Sequence, residues 1–381
     1  MVKKIFKIIN LITNNFLMFV FRIFPINRRK IFVVNYFGKG FGDNAKYIVE
    51  ELLSREQDCE IVWAVSKGVD KSAFPKQVKL CRYFNFTAAF HAATAKIWID
   101  NCRKFPILKR KQQVYLQTWH GFALKRIEKD VVSNLGKYYV RFAKADSKMI
   151  DLIISDSKFM TQIYQNAFWY DGKVVEWGSP RNDVIIKGEP SLLLKVRRFY
   201  GVEDDKKIVL YAPTFRASGS IEAYDIDYHR LRVCCKQRFG GDFVVLVRLH
   251  PNIVQKCKDL TFKEGEIINA TYYPDMQELL AASDICISDY SSLMFDFALS
   301  KKPCFQFATD IEDYKLDRNF YFEIDSLPFP LSKSNDELEQ SILAFDKQEY
   351  EEKLGRFYKK VGMIMDGNGA KRCVDYILEN Q

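Results

Sequence analysis

The sequence predicts an α/β protein of about two domains, in which parallel strands alternate with helices. Short apolar runs such as Ile31–Tyr36, Phe243–Leu249 and Ile285–Ile287 suit buried parallel strands, and each is closed by a polar or glycine-rich turn. Helical patterns follow those turns, as in βαβ units. The chain has 381 residues, 48% hydrophobic and 15% aromatic, which supports a large core and excludes general disorder.

The formal net charge is +10. That suits an acidic partner: nucleic acid, an anionic membrane surface or a phosphorylated substrate. A nucleic-acid module would gather its charge on one face with aromatic platforms, whereas here the basic residues spread along the chain, so nucleic acid is not expected. Nine cysteines are scattered without a CxxC pair, which supports neither a zinc site nor a redox motif. They read as reduced core thiols in a cytosolic compartment.

Residues 1–30 combine apolar bulk with a basic fringe. Ile5, Ile8, Ile9 and Ile12 recur at helical spacing, and Phe16 to Phe21 is apolar between Asn15 and Arg22. The run is shorter than the roughly 20 residues that span a bilayer. No small-residue cleavage site follows it. An amphipathic segment on an anionic membrane fits, with a first helix packed on its own domain as the alternative.

The strand from Ile31 leads into Gly38, Gly40 and Gly42, then a helix over about 45–54. This is a weak dinucleotide signal but a plausible cradle for phosphate. Strands are expected at 61–65, 97–99 and 115–117, and Lys104 to Gln113 as a basic surface loop. His120 follows a strand and precedes Gly121, a good position for a base. Asp130 to Lys148 suggests an exposed basic helix. The polar stretch 189–205 is the expected break, giving a membrane-associating segment 1–30 and domains 31–195 and 196–381. A second run of βα units begins at Ile208. Asp275 is a plausible N-cap. The strand Ile285–Ile287 ends in Ser288-Asp289-Tyr290-Ser291-Ser292, a hydroxyl-rich turn that either binds phosphate at a helix start or simply caps that helix.

Five segments in order resemble the CDP-glycerol glycerophosphotransferase family of teichoic-acid primases and polymerases. They are Thr118-Trp119-His120-Gly121, Gly178-Ser179-Pro180-Arg181-Asn182-Asp183, Tyr211-Ala212-Pro213-Thr214-Phe215-Arg216, Arg248-Leu249-His250-Pro251, and Asp289-Tyr290-Ser291-Ser292 with Asp296 one turn on. Asp43-Asn44 resembles the family's early Asp-Asn pair, and Phe122-Ala123 stand where the family usually has Thr-Pro. The resemblance covers most of residues 31–325. It implies a GT-B architecture, two Rossmann-like domains facing a cleft, on the cytoplasmic face of the membrane. The implied reaction moves glycerol phosphate from CDP-glycerol to a hydroxyl of a polyprenyl-diphosphate-linked acceptor, releasing CMP. CDP-ribitol transfer within the same family and a GT-B glycosyltransferase using a nucleotide sugar are the alternatives.

The resemblance further implies roles. His120 is the base, with Gly121 and Leu124 beside it on the substrate. His250, Arg248, Arg216 and Arg181 clamp the diphosphate, since arginine meets phosphate bidentately. Pro213 and Thr214 line the nucleotide side, Ser291 and Ser292 bind phosphate or ribose, and Asp296 holds hydroxyls. No DxD or His/Glu cluster suggests a metal site or a required cofactor, so cationic side chains are expected in place of Mg²⁺.

Overall fold

The computed structural model describes residues 12–104, 108–216, 225–249, 265–312, 314 and 319–381. The chain divides into two compact units, Met1–His120 with Ile127–Asp183 and Met363–Gln381, and Gly121–Arg126 with Val184–Gly362.

The first unit holds a parallel sheet of seven strands: β1 (Asn27–Val34), β2 (Glu60–Val65), β3 (Lys79–Arg82), β4 (Ala95–Asp100), β5 (Val114–Gln117), β6 (Leu152–Ser155) and β7 (Lys173–Glu176). Their order is β3-β2-β1-β4-β5-β6-β7. β1 is polar and exposed over its first three residues and buried thereafter, so its apolar Ile31–Val34 stretch occupies the middle of the layer. Four helices connect the strands: α1 (Asp43–Ser54), α2 (Phe86–Thr94), α3 (Lys137–Ser147) and α4 (Lys158–Ala167). Ala45, Ile48, Val49 and Leu52 line one side of α1 and join the core with Ile31, Val33 and Trp63. Asn85 caps α2 through Ala88 N–H, and Ser157 caps α4 through Met160 N–H.

The C-terminal helix Gly369–Glu379 belongs to this same unit. Cys373, Val374 and Ile377 complete the core around β1 and α1. The Asp183 carboxylate accepts from Gly369 N–H at 3.0 Å and Ala370 N–H at 2.8 Å, so it caps that helix. Gly369 suits a close approach, because a Cβ there would lie 3.0 Å from Pro180 N and 3.1 Å from the Gly178 carbonyl, and the backbone would have to give by a few tenths of an ångström.

The second unit is a six-stranded parallel sheet of β8 (Lys207–Tyr211), β9 (Phe243–Val247), β10 (Ile267–Asn269), β11 (Ile285–Ser288), β12 (Cys304–Phe307) and β13 (Leu331–Ser332), in the order β10-β9-β8-β11-β12-β13. Its helices are α5 (Pro190–Tyr200), α6 (Tyr228–Phe239), α7 (Met276–Ala282), α8 (Leu293–Ala298), α9 (Asn335–Leu343) and α10 (Lys347–Val361). Asp275 caps α7, accepting from Gln277 N–H. β8, β9 and β11 are adjacent and fully apolar inside, so the ends of three motif-bearing strands lie side by side.

Several expectations differ from the structure. β3 and β13 were not anticipated; each is short and lacks a continuous apolar run. Lys104, expected on a surface loop, is buried and pairs with Asp100 at 2.7 Å. The basic stretch from Asp130 is a 3-10 segment, Glu128–Asn134, followed by α3. The polar stretch 189–205 contains α5, which belongs to the second unit, and the first crossing after Ile127 falls between Asp183 and Val184.

At the N-terminus, residues 12–20 are helical and Phe21–Ile23 form a 3-10 turn. Met18 and Phe21 are buried, and Phe21 packs edge-on against Phe86 and Phe90 with centroids 4.8 and 5.4 Å away. Ile12, Phe16, Phe19 and Ile23 form the opposite stripe and are more than half exposed. Ile5, Ile8 and Ile9 lie outside the described residues. Among the described residues no helix is long and apolar enough to cross a membrane. The eight described cysteines are free thiols.

Asp183→Ala removes both acceptors from the start of the C-terminal helix. Loss of a cap costs about 1 kcal/mol, so the urea midpoint should fall with an unchanged slope. A midpoint equal to that of the parent chain would remove this role.

Candidate active site

In the first unit the motif residues gather at the carboxyl ends of β1, β4 and β5, the edge where open α/β sheets bind ligands. His120 stands three residues past β5 and is partly exposed. Its Nδ1 lies 2.6 Å from the Asn101 carbonyl, which follows β4. A carbonyl can only accept, so Nδ1 carries the hydrogen and Nε2 is the basic nitrogen of the neutral ring. The Trp119 ring stacks on the imidazole at 4.2 Å, and Tyr36 lies 5.4 Å from it. Burial holds the His120 pKa below its ordinary value, against the opposing pull of the Asn101 carbonyl and Asp43. The ring is therefore neutral at pH 7, as a proton acceptor must be.

The loop carrying His120 is fixed from behind. Asn44 Nδ2 donates to the carbonyls of Thr118 and Trp119 at 3.3 and 3.1 Å. Its Oδ1 accepts from Arg181 N–H at 3.1 Å. Arg181 Nη1 donates to the His120 carbonyl at 2.8 Å and to Asp43 Oδ2 at 2.7 Å. Both charged partners are buried. Burial alone would raise the Asp43 carboxyl, but the Arg181 guanidinium and the Asn44 N–H outweigh it and hold the pKa low. Tyr36 Oη also donates to Asp43. Sequence reasoning placed Arg181 on the diphosphate; here its guanidinium is turned inward, onto a carboxylate and the histidine's own backbone.

The backbone around this histidine is strained. Tyr36, Phe37, Asp43 and Trp119 all have positive φ, between 41° and 58°. Each such non-glycine conformation costs on the order of 1 kcal/mol and persists only where its surroundings enforce it, which is common at functional sites. Gly38, at φ 87°, sits where a Cβ would come within 2.8 Å of Ser66 N.

In the second unit the segments after β8 and β11 are joined by Asp289. Its carboxylate accepts from Thr214 N–H at 2.8 and 3.0 Å and from Tyr290 N–H at 2.6 Å. Arg216 is buried, and its guanidinium reaches Asp289 at 2.8 Å, Asp310 at 2.6 and 2.9 Å and the Thr214 carbonyl at 2.7 Å. Burial would lower the Arg216 pKa, but the two carboxylates raise it well above the usual value, so the cation is permanent. The Tyr290 and Tyr314 rings stack at 3.9 Å, with Arg216 about equally close to both and Lys125 5.1 Å from Tyr314. Arg216 thus braces the turn, through contacts with Asp289, Asp310 and the Thr214 carbonyl.

Arg248 follows β9 and donates from Nη1 to the Tyr273 carbonyl at 2.8 Å. Ser291 and Ser292 are partly exposed at the start of α8, where Ser291 Oγ lies 3.4 Å from Leu293 N and Ser292 makes no side-chain cap. α8 has six residues, so its dipole contributes little to an anion site. Asp296 is buried and accepts from Gln277 Nε2 at 3.1 Å, which excludes a solvated helix face. Gly121 and Leu124 belong to the second unit, where Lys125 pairs with Phe320 and the Leu124 carbonyl accepts from Tyr321 N–H. Pro213 adjoins Thr214 after β8. His250 lies outside the described residues. Asn44, Asn101, Asp289 and Asp310 are not assigned roles by the sequence; Asn44 and Asp289 stand inside segments it singles out, whereas Asn101 and Asp310 carry no such signal. Among the described residues no group of three His, Cys, Asp and Glu side chains could hold a metal ion.

The chain matches the family described as CDP-Glycerol:Poly(glycerophosphate) glycerophosphotransferase over residues 16–379. It belongs to that family. It is 32% identical over 402 residues to the teichoic acid poly(glycerol phosphate) polymerase of Bacillus subtilis (strain 168), covering 99% of this chain and 53% of that protein. The teichoic acid poly(glycerol phosphate) polymerase of Bacillus spizizenii is 30% identical over 383 residues, covering 94% of this chain and 95% of the other. The chain thus spans about half the length of the Bacillus subtilis relative, and a comparable share of a Staphylococcus epidermidis one. A solved histidine-to-asparagine variant of the wall teichoic acid polymerase TagF, soaked with CDPG, superposes with a TM-score of 0.85 at 27% identity, covering 100% of this chain and 98% of that one.

Removing one partner of a buried ion pair leaves an uncompensated charge. Arg181→Ala should therefore destabilise the chain by about 3 kcal/mol or more in urea unfolding, with Asp43→Asn in the same chain restoring part of the loss. A loss below about 1 kcal/mol, the range of an exposed pair, would show that Asp43 is satisfied without Arg181.

Proposed function

We propose that this chain transfers glycerol phosphate from CDP-glycerol to a hydroxyl of a lipid-linked acceptor in teichoic acid synthesis and releases CMP. The observation that carries this reading is the family match, which runs through every motif described above. In the proposed reaction the acceptor oxygen forms a bond to the β-phosphorus, and the bond from that phosphorus to the bridging oxygen breaks. CMP leaves with the electron pair, and the hydroxyl proton passes to His120 Nε2. The tautomer set by Asn101 and the lowered pKa support His120 as this base.

The two units are read as the halves of a GT-B enzyme, with acceptor chemistry on the first and the donor on the second. Arg248, Ser291 and Ser292 are assigned to the donor diphosphate and ribose, with His250 beside them, and Thr214 and Pro213 to the nucleotide. Asp296 holds Gln277 and, through it, the start of α7. Arg181 and Arg216 act by positioning, the first on the His120 loop and the second on the Asp289 turn. The exposed stripe Ile12, Phe16, Phe19 and Ile23, with Arg22, Arg28 and Arg29 nearby, supports attachment to the anionic cytoplasmic face of a membrane.

The donor reading is tested by CMP release beside donor titration, with CDP-ribitol as the competing donor. His120→Ala should abolish release while CDP-glycerol still binds, because the base acts only during the reaction. Arg248→Ala should lower both affinity and rate. The acidic limb of the wild-type pH profile should lie below 6.5, the ordinary histidine value, because a lowered pKa keeps the ring neutral to lower pH. Normal turnover by His120→Ala, or a limb above that value, removes the assignment.

Attachment is tested on the exposed stripe alone, since Met18 and Phe21 serve the fold. Phe16→Ser with Phe19→Ser and Ile23→Ser should release the chain from anionic vesicles, and salt should weaken binding of the parent. Sedimentation of the variant with vesicles as complete as the parent's would place the anchor elsewhere.

A further inference from the structure

We propose that the outward face of α3 is a docking surface for an extended phosphodiester polyanion, the class of polymer that the proposed transfer would lengthen. The identity of that polyanion rests on the transferase reading; the surface itself rests on charge and exposure. Lys137, Arg141, Lys144 and Lys148 recur at spacings of four, three and four residues, so they share one helical face about 16 Å long. All four are exposed, as is Lys129 just before them, and none has a carboxylate within ion-pair reach among the described residues. Lys148 also stands at the helix C-terminus, where the dipole favours a cation.

The acids that could cancel this charge face inward. Glu128 and Asp146 are buried and both pair with buried Arg103 at 3.3 Å. Tyr139 Oη donates to Glu128, and Tyr115 Oη to Asp146. Asp130 is the single exposed acid between Ile127 and Lys148. On α10, by contrast, Lys347, Lys353 and Arg356 each pair with a glutamate four residues away, which leaves Lys359 and Lys360 near its C-terminal end as its exposed cations without such a pair among the described residues.

A polar polymer fits this face better than a lipid bilayer. Its most exposed ring is Tyr138, at 81%, whose hydroxyl can meet a polyol, and no exposed Leu, Ile, Phe or Trp side chain accompanies it on α3. The stripe at Ile12, Phe16, Phe19 and Ile23 has the bulky apolar exposure that α3 lacks.

The test uses the full chain and fluorescent glycerol-phosphate oligomers of one and of about ten phosphates, read by anisotropy at low and physiological salt. Binding should tighten with oligomer length and weaken with salt, because each neutralised phosphate releases counterions. Lys137→Glu with Arg141→Glu and Lys144→Glu should weaken the long oligomer about tenfold or more while phosphatidylglycerol vesicles still bind. The corresponding Lys→Gln and Arg→Gln variant should show a smaller loss of the same sign, and it decides the matter if charge reversal prevents folding. Unchanged binding of the long oligomer overturns the proposal. Loss of vesicle binding with oligomer binding retained overturns it too, and makes α3 a membrane contact. CMP release by the parent chain reads the transferase assignment separately: oligomer binding that depends on α3 without any CMP release fails that assignment and not this one.

Discussion

The buried pair between Asp43 and Arg181 is the constraint on which the first unit depends. One guanidinium holds the carboxylate that opens α1 and the carbonyl of His120, while its own backbone is held by Asn44. Two residues later Asp183 caps the C-terminal helix. A buried charge without its partner costs far more than a surface pair gains, so this arrangement is close to all-or-none. The second unit repeats the device with one arginine between two carboxylates. Arg216 lies between Asp289 and Asp310, and Asp289 locks Thr214 to Tyr290. In each unit an arginine that looks ligand-directed in the sequence is used to hold a turn in shape.

This division of labour explains why so many strained residues are tolerated beside His120. A positive φ at Tyr36, Phe37, Asp43 and Trp119 would relax in a free loop. Here Asn101 bonds Tyr36 N–H and Asn35 with its side chain and the imidazole with its carbonyl, so the loops after β1, β4 and β5 are fixed against one another. The imidazole is held in one orientation and one tautomer, the preorganisation that the proposed proton transfer calls for.

Much of the fold was legible because buried parallel strands write themselves as apolar runs. β1, β8, β9 and β11 were read that way, and Asp275 was read as a cap from its place before a periodic segment. β3 and β13 were not, since edge strands such as Lys79–Arg82 are half exposed and carry no such run. The positions of His120, Arg248 and Ser291 at strand ends were also legible. What the arginines do there was not, because the deciding partners are distant in sequence: Asp43 lies 138 residues from Arg181, and Asp310 lies 94 from Arg216. Residue type and spacing mark where cations gather, while burial decides whether they face a ligand or a carboxylate. The exposed basic face of α3 was legible in the same way, whereas the burial of Glu128 and Asp146 beside it was not.

The return of residues 363–381 to the first unit bears on how the chain is made. Cys373, Val374 and Ile377 fill the layer that Ile31 and Val33 begin, more than 300 positions earlier. A chain leaving the ribosome from its amino end folds its domains in that order when each is contiguous. Here the first unit is still missing part of its core after the second has been fully synthesised. An apolar face beside α1 stays uncovered until Cys373, Val374 and Ile377 have been made, so the two units cannot complete their folding strictly one after the other.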